Sequence, residues 1–417
     1  MNQPQFIVAQ LGARMHYAVP RILATNAMLD HFYTDFSAGR GWPKLLRLVP
    51  PSVRPKALQR LLGRVAQGVP PQKTTAFNLL GLRYARRLRR NHTAAEHTAT
   101  FLWMGRQFCR QVKARGFNRA TAVYTFNTAG LEILQAARRH GLLAVMEQTI
   151  APKRIEVELL ETERARFAGW EPDGGRDAVA LELADREAAE WDASHLILCA
   201  SEFVRDGIAK CGGPVEKCVV VPYGVDVPVP KPEAQERKPG RPLRVLTVGT
   251  IGLRKGSPYI LEAARQLKGS VVVRMVGGIG VTPETEANLR EYLELAGPVP
   301  RSRIAEHFAW ADVFLLPSLC EGSATVTYEA LAHGLPVICT PNTGSVVRDN
   351  MDGFIVPARD VNAIVDRLKT LLAQPELRLG LSANARARAA EFTVSAYGNR
   401  LLAALNGAKA CQEKITA

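Results

Sequence analysis

The sequence predicts an α/β protein built from two doubly wound, Rossmann-like parallel-sheet domains that face each other across a cleft. Three observations carry that expectation. Short apolar, β-branched runs alternate with longer amphipathic stretches, the runs show no polar alternation, and one Pro- and charge-rich segment divides the chain near residue 230. Runs without a polar side fit strands covered on both faces, the condition found in parallel sheets. A chain of 417 residues is also too long for one compact core, and two domains of ordinary size accommodate it.

In the first half the candidate strands are 5–11, 121–126, 142–147, 196–200 and 218–222. In the second half they are 243–249, 271–276, 312–317 and 336–340. Amphipathic stretches between them, such as SPYILEAARQL and VNAIVDRLKTLLA, read as crossover helices. The segment VPVPKPEAQERKPGRP, 227–242, is rich in Pro and charge and poor in large apolar groups, a linker signature. The expected organisation is therefore a domain over 1–226, the linker 227–242, a second domain over 243–393, and a segment 394–417 whose helix would return to the first domain. Ligands of doubly wound sheets bind beyond the carboxyl ends of the strands, so the cleft is the expected site.

Composition narrows the function classes. With 47% hydrophobic and 22% charged residues, the chain is globular, not disordered. Its seven cysteines form no CxxC pair and several lie in apolar runs, which suits reduced, buried thiols. The start, MNQPQFIVAQLGARMH, has no basic head followed by a long apolar region, and no run approaches the ~20 apolar residues of a membrane span. A cytoplasmic protein is expected. No cluster of His, Cys, Asp and Glu has metal-ligand spacing, so no metal and no other cofactor is expected.

The net charge of +15 is concentrated: residues 36–95 hold thirteen Lys or Arg and no Asp or Glu, leaving 15 − 13 = +2 for the rest. Within this stretch Leu58, Leu61, Leu62 and Val65 fall at helical spacing, with Lys56, Arg60 and Arg64 between them. A basic amphipathic helix can lie in the interface of an anionic leaflet. Residues 36–95 are thus expected to face an anionic membrane surface, on the inner face of the cell membrane. A solvated basic surface, or one that meets an acidic or polyphosphate-bearing acceptor, stays open at this point. Nucleic acid is not expected, because no recognised module and little aromatic interleaving accompany the charge.

The most informative stretch is ADVFLLPSLCEGSATVTYEALAHGLPVICTPNTG. A buried strand ends at Pro317, a loop carries Glu321-Gly322-Ser323, a helix begins near Ser323, and Gly334 supplies its C-terminal cap. The amides and dipole of a helix N-terminus form an anion site. Gly322, Ser323 and Ala324 are small enough to let a phosphate approach the backbone. Glu329, six residues beyond Ser323, lies roughly 9 Å along the helix, a distance that suits a carboxylate on ribose hydroxyls with the diphosphate at the helix start. Glu321 would face the sugar. Taken singly, each acid reads better as an ordinary helix-start or helix-face charge, since acids favour helix N-termini anyway.

The run PSLCEGSATVTYEALAHGLPVICT resembles the E-x₇-E region of the retaining glycosyltransferases of family 4, which have the two-domain GT-B fold. The resemblance implies that Glu329 binds the donor ribose and that Glu321 contacts the donor sugar and supports positive charge at its anomeric carbon. Upstream, LTVGTIGLRKGSPYILEAA resembles the family's strand–loop–helix with a Lys-Gly pair, implying that Lys255, with Arg254 beside it, neutralises the donor diphosphate. The family often has Arg directly after the Gly that ends this strand, where this chain has Thr250. LAGPVPRSRIAEHFAWADVFLLPS resembles the segment whose backbone reads the nucleobase, implicating Gly297 to Val299. The resemblance covers roughly residues 195–395, with three motifs in order.

It implies a nucleotide sugar as co-substrate, front-face attack with the donor phosphate as base, no metal, and a lipid-linked or cell-surface glycan as acceptor. In the first half, Gly12 in the loop after the first strand resembles the family's first-loop glycines, though a plain turn glycine reads as well. His16, Glu147 and Gln148 are acceptor candidates, and a lone His is more often structural. An epimerase, a phosphorylase or a non-catalytic membrane-surface protein could share the scaffold. A phosphorylase would need pyridoxal phosphate on a lysine, and the chain is short for one.

Overall fold

The computed structural model describes residues 3–39, 41–50, 54, 56–173, 177–226 and 240–416. Most of the expected linker therefore lies outside the described residues, as do the side chains of Lys56 and Arg60. The first seven strands are β1 (Phe6–Gln10), β2 (Leu29–Thr34), β3 (Thr74–Ala76), β4 (Ala122–Phe126), β5 (Leu143–Gln148), β6 (Leu196–Cys199) and β7 (Cys218–Val220). They form one sheet in the order β3-β2-β1-β4-β5-β6-β7. The next six are β8 (Leu243–Val248), β9 (Val271–Val276), β10 (Leu293–Gly297), β11 (Val313–Leu316), β12 (Val337–Cys339) and β13 (Gly353–Ile355). They form a second sheet, β10-β9-β8-β11-β12-β13. Every strand pairing is parallel.

The apolar runs become the central strands. β1, β4, β5, β6, β11 and β12 are buried at every position. Successive residues face opposite sides: Ile7, Val123 and Met146 enter one core, while Val8, Tyr124 and Val145 enter another. The second of these cores also takes in Leu246, Phe314 and Val337 of the other sheet. One apolar body thus joins the two sheets. The strand order reverses between β1 and β4 in one sheet and between β8 and β11 in the other, which marks the crevices where ligands of such sheets bind.

Two segments tie the halves together. The helix Lys153–Arg166 reaches from the first half onto the second. Its buried Glu163 accepts a hydrogen bond from Tyr259 Oη at 2.6 Å and pairs with Arg359. Just beyond it, Glu171 Oε1 accepts from the Leu253 amide at 2.8 Å. The helix Val394–Thr416 lies against the first half, burying Tyr397, Leu401 and Leu405 with Val19 and Ile22. At its start the Val394 amide donates to Asp226 Oδ1 at 3.1 Å. Among the described residues no helix is long and apolar enough to cross a membrane.

Candidate active site

β8 ends at Val248, and the chain turns through a 3₁₀ turn, Leu253–Lys255, into the helix Ser257–Gln266. The turn closes at Gly256, whose φ is +74° and where a Cβ would sit 2.2 Å from the Pro317 carbonyl oxygen. Only glycine combines that backbone with that approach. The turn is thereby pressed against the end of β11, and the Leu319 amide donates to the Arg254 carbonyl at 2.9 Å.

Arg254 and Lys255 therefore reach the loop that carries Glu321. Arg254 Nη1 lies 2.7 Å from Glu321 Oε1 and 3.0 Å from the Cys320 carbonyl. Lys255 Nζ lies 2.8 Å from the same Glu321 oxygen. Both Lys255 and Glu321 are buried. Burial pushes the lysine below its usual range, and the Glu321 carboxylate opposes that shift.

The next helix spans Thr325–Ala332, two residues later than the sequence suggested, because Ala324 has extended backbone, φ −72° and ψ 95°, with its amide donating to the Thr343 carbonyl at 3.2 Å. It ends at His333, with Gly334 at φ +72°, as the Gly cap requires. Glu329 lies on this helix and its Oε1 is 3.4 Å from Arg301 Nη2. Burial raises the Glu329 carboxyl above its usual range, with Arg301 acting against the rise. Gly297 ends β10 at φ +68° with open space where a Cβ would be, and Val299 packs at the edge of the shared core.

Gly322 lies where the two halves of the chain meet. A Cβ there would come within 1.9 Å of the Thr149 carbonyl oxygen, in the loop after β5. The Ala151 amide also donates to the Glu321 carbonyl at 3.3 Å, and Ser201 Oγ donates to the Gly322 carbonyl. The close approach that this glycine permits on its Cβ side is thus one between the two halves of the chain. Ser323 and Ala324 are buried, and the Ser323 hydroxyl meets Tyr328 Oη at 2.7 Å.

From the first sheet, the loop after β1 faces this arrangement. Gly12 has φ +73° and nothing within 4 Å of a Cβ position, and its amide donates to Asp35 Oδ1 at 2.9 Å. Met15, His16 and Tyr17 follow at φ 44°, 51° and 61°. Left-handed backbone costs a non-glycine residue about 1–2 kcal/mol, so three in a row mark a loop held under strain. His16 is exposed, and its imidazole is held below its usual range by partial burial and then by Arg301 and Arg21. Arg301 thus pairs with Glu329 of its own half and acts electrostatically on His16 of the other.

Glu147 and Gln148 do not join the site. The Glu147 carboxylate is enclosed by Tyr124 Oη and Tyr223 Oη, the latter at 2.7 Å. Gln148 donates to the Ile150 carbonyl at 3.0 Å and accepts from Trp191 Nε1 at 3.0 Å. Both side chains are buried and satisfied internally, because a strand without a polar side turns its polar residues inward too. Sequence reasoning missed Arg301. Arg301 stands two residues after Val299, inside a segment read for its backbone alone. Among the described residues no group of three or more His, Cys, Asp or Glu could hold a metal ion.

Residues 230–388 match the family model described as glycosyl transferases group 1. A D-inositol 3-phosphate glycosyltransferase of Xylanimonas cellulosilytica is 31% identical over 302 residues, 64% of this chain and 72% of that one. The chain belongs to the group 1 glycosyltransferases. The putative colanic acid biosynthesis glycosyltransferase WcaL of Escherichia coli is also 31% identical, over 46% of this chain and 52% of its own length. Among solved structures, HepE of Anabaena in complex with UDP superposes with a TM-score of 0.61 at 15% identity, over 97% of this chain and 100% of that one. Sucrose-phosphate synthase from Thermosynechococcus elongatus superposes with a TM-score of 0.64 at 18% identity, over 98% and 100%. The fold of this glycosyltransferase is therefore GT-B. The family match takes in Arg254, Lys255, Arg301, Glu321 and Glu329 and leaves the strained His16 loop outside it.

Proposed function

We propose that this glycosyltransferase is a retaining enzyme of family 4 that transfers a sugar from a nucleoside diphosphate sugar to a lipid-linked or cell-surface glycan. The convergence of Lys255 and Arg254 on the Glu321 carboxylate, beside the helix that carries Glu329, is the observation that supports it most. In this reading the donor diphosphate takes the two cations and the helix start, Glu329 accepts from the ribose hydroxyls, and Glu321 is released towards the sugar. The backbone at Gly297 to Val299 meets the base, and Gly12 and His16 close over the donor from the other half.

The acceptor hydroxyl attacks the anomeric carbon on the face from which the diphosphate departs. A donor phosphate oxygen takes the hydroxyl proton, the carbon–phosphate oxygen bond breaks, and the configuration is retained. Charge developing on the diphosphate is met by two cations already in place, the preorganised kind of electrostatic stabilisation, so the reaction proceeds without a metal. HepE binds UDP, and relatives are named for inositol phosphate and polysaccharide chemistry, which agrees with a nucleotide donor and a glycan-type acceptor.

Thermal melting with a panel of nucleoside diphosphates and their sugars, in the presence of chelator, tests this reading. A ligand at ~100 times its dissociation constant adds about 2.7 kcal/mol of stability. One base should stabilise the protein selectively, and Glu329→Ala should reduce that gain. No gain from any member by a folded sample, or a gain that needs added metal, would contradict the proposal.

A further inference from the structure

We propose that the turn Trp42–Leu48 and the exposed stripe of the helix Asn78–Leu88 together form a surface that binds an anionic lipid membrane, with the apolar side chains entering the interface. The chain leaves the carboxyl end of β2 at Thr34 and rejoins the sheet only at Thr74, so the excursion rises on the cleft side. Its start is fastened to the helix, because the Ser37 amide donates to Asn78 Oδ1 at 2.9 Å. Gly41 also approaches Asn78, with its Cβ position 3.9 Å from the Asn78 amide nitrogen. The turn and the beginning of the helix therefore share one face.

That face exposes apolar groups. Trp42 is 42% exposed, Leu45 66%, Leu48 79% and Leu79 67%. Leu48, Leu79 and Leu45 are the three most exposed large apolar side chains among the described residues. Leu79, Arg83 and Arg86 are exposed at i, i+4 and i+7, hence on one side of the helix. No acidic residue occurs between 36 and 95.

Apolar tips among cations and no acids match an anionic lipid surface, where basic groups meet headgroups and Trp or Leu enters the acyl boundary. A second copy of the chain would bring like charge against like. A soluble acidic glycan would leave the four apolar groups without a role. The helix seen in the sequence around Leu58 is not the docking element: it ends at Leu62, and Arg64 turns inward to pair with Asp35, Nη1 to Oδ2 at 2.9 Å. That same Asp35 holds the Gly12 amide, so the docked excursion would be tied directly to the cleft.

Co-sedimentation of the full chain with vesicles of phosphatidylcholine alone, or mixed with phosphatidylglycerol, tests this without any activity measurement. Binding to the mixed vesicles should exceed binding to phosphatidylcholine roughly ten-fold and weaken with salt. Leu45→Asp with Leu48→Asp, and separately Arg83→Glu with Arg86→Glu, should each lower it by about ten-fold, with melting temperature and nucleotide-induced stabilisation unchanged. Equal binding to both vesicles, or full binding by the Leu→Asp protein, would overturn the proposal. Loss of vesicle binding to a free acidic oligosaccharide, with the Leu→Asp protein binding that oligosaccharide as the parent does, would overturn it in favour of an acidic acceptor. The nucleotide panel reads the donor site separately, so failure of one reading is distinguishable from failure of the other.

Discussion

Glu321 receives two cations on one oxygen, Lys255 Nζ at 2.8 Å and Arg254 Nη1 at 2.7 Å. Under the proposed function it competes with the incoming diphosphate for both, so it partly balances the two cations and is freed when the donor arrives. Arg301 plays a comparable part for Glu329. Burial raises the Glu329 carboxyl, and Arg301 is the charge that opposes the rise. Ribose hydroxyls favour the ionised carboxylate, so donor affinity should fall as pH drops through the Glu329 pKa. Arg301→Ala removes the opposing charge, raises that pKa further, and should move the acid limb of nucleotide binding to higher pH. Affinity measured across pH checks this; an unmoved or lowered midpoint would contradict it. Lys255, Glu321 and Glu329 were legible because they lie within one α/β pattern at fixed spacing. Asp35 with Arg64, and Thr149 against Gly322, were not, since nothing local in a single sequence couples residues so far apart.

At the scale of elements, the central strands were readable because burial on both faces leaves an unbroken apolar run. The strands that were missed are short or half-wet. β3 and β13 have three residues each, and β10 alternates buried with exposed positions at the sheet edge. β2 hides its pairing behind polar side chains, where His31 Nε2 meets Thr75 Oγ1 at 2.8 Å. The helix Lys153–Arg166 was not singled out in the sequence, and its Glu163 is buried against Arg359 and Tyr259 of the other half. Arg359→Ala would leave that carboxylate buried without its cation and should destabilise the protein by roughly 3 kcal/mol. Adding Glu163→Gln should recover part of the loss, because the uncompensated charge is gone. Melting of the two single variants and the double variant checks the coupling; simple additivity would contradict it.

Across the whole molecule, the two sheets share one apolar core, and their carboxyl ends converge where Thr149 and Ser201 meet Gly322. The residues proposed to hold the donor sit on the second sheet and the strained His16 loop on the first, so the proposed site needs both halves and the contact between them. The basic excursion from β2 and the helix Val394–Thr416 are both built on the first half, away from the proposed donor residues of the second. The measurement that tests this account most directly is the transfer rate of Glu321→Gln beside its affinity for the nucleoside diphosphate that stabilises the parent protein. The substitution removes the carboxylate proposed to support charge on the sugar and releases Lys255 and Arg254. Nucleotide affinity should stay equal or tighten, while transfer falls by about 100-fold or more. Transfer at the parent rate with unchanged affinity would contradict the account.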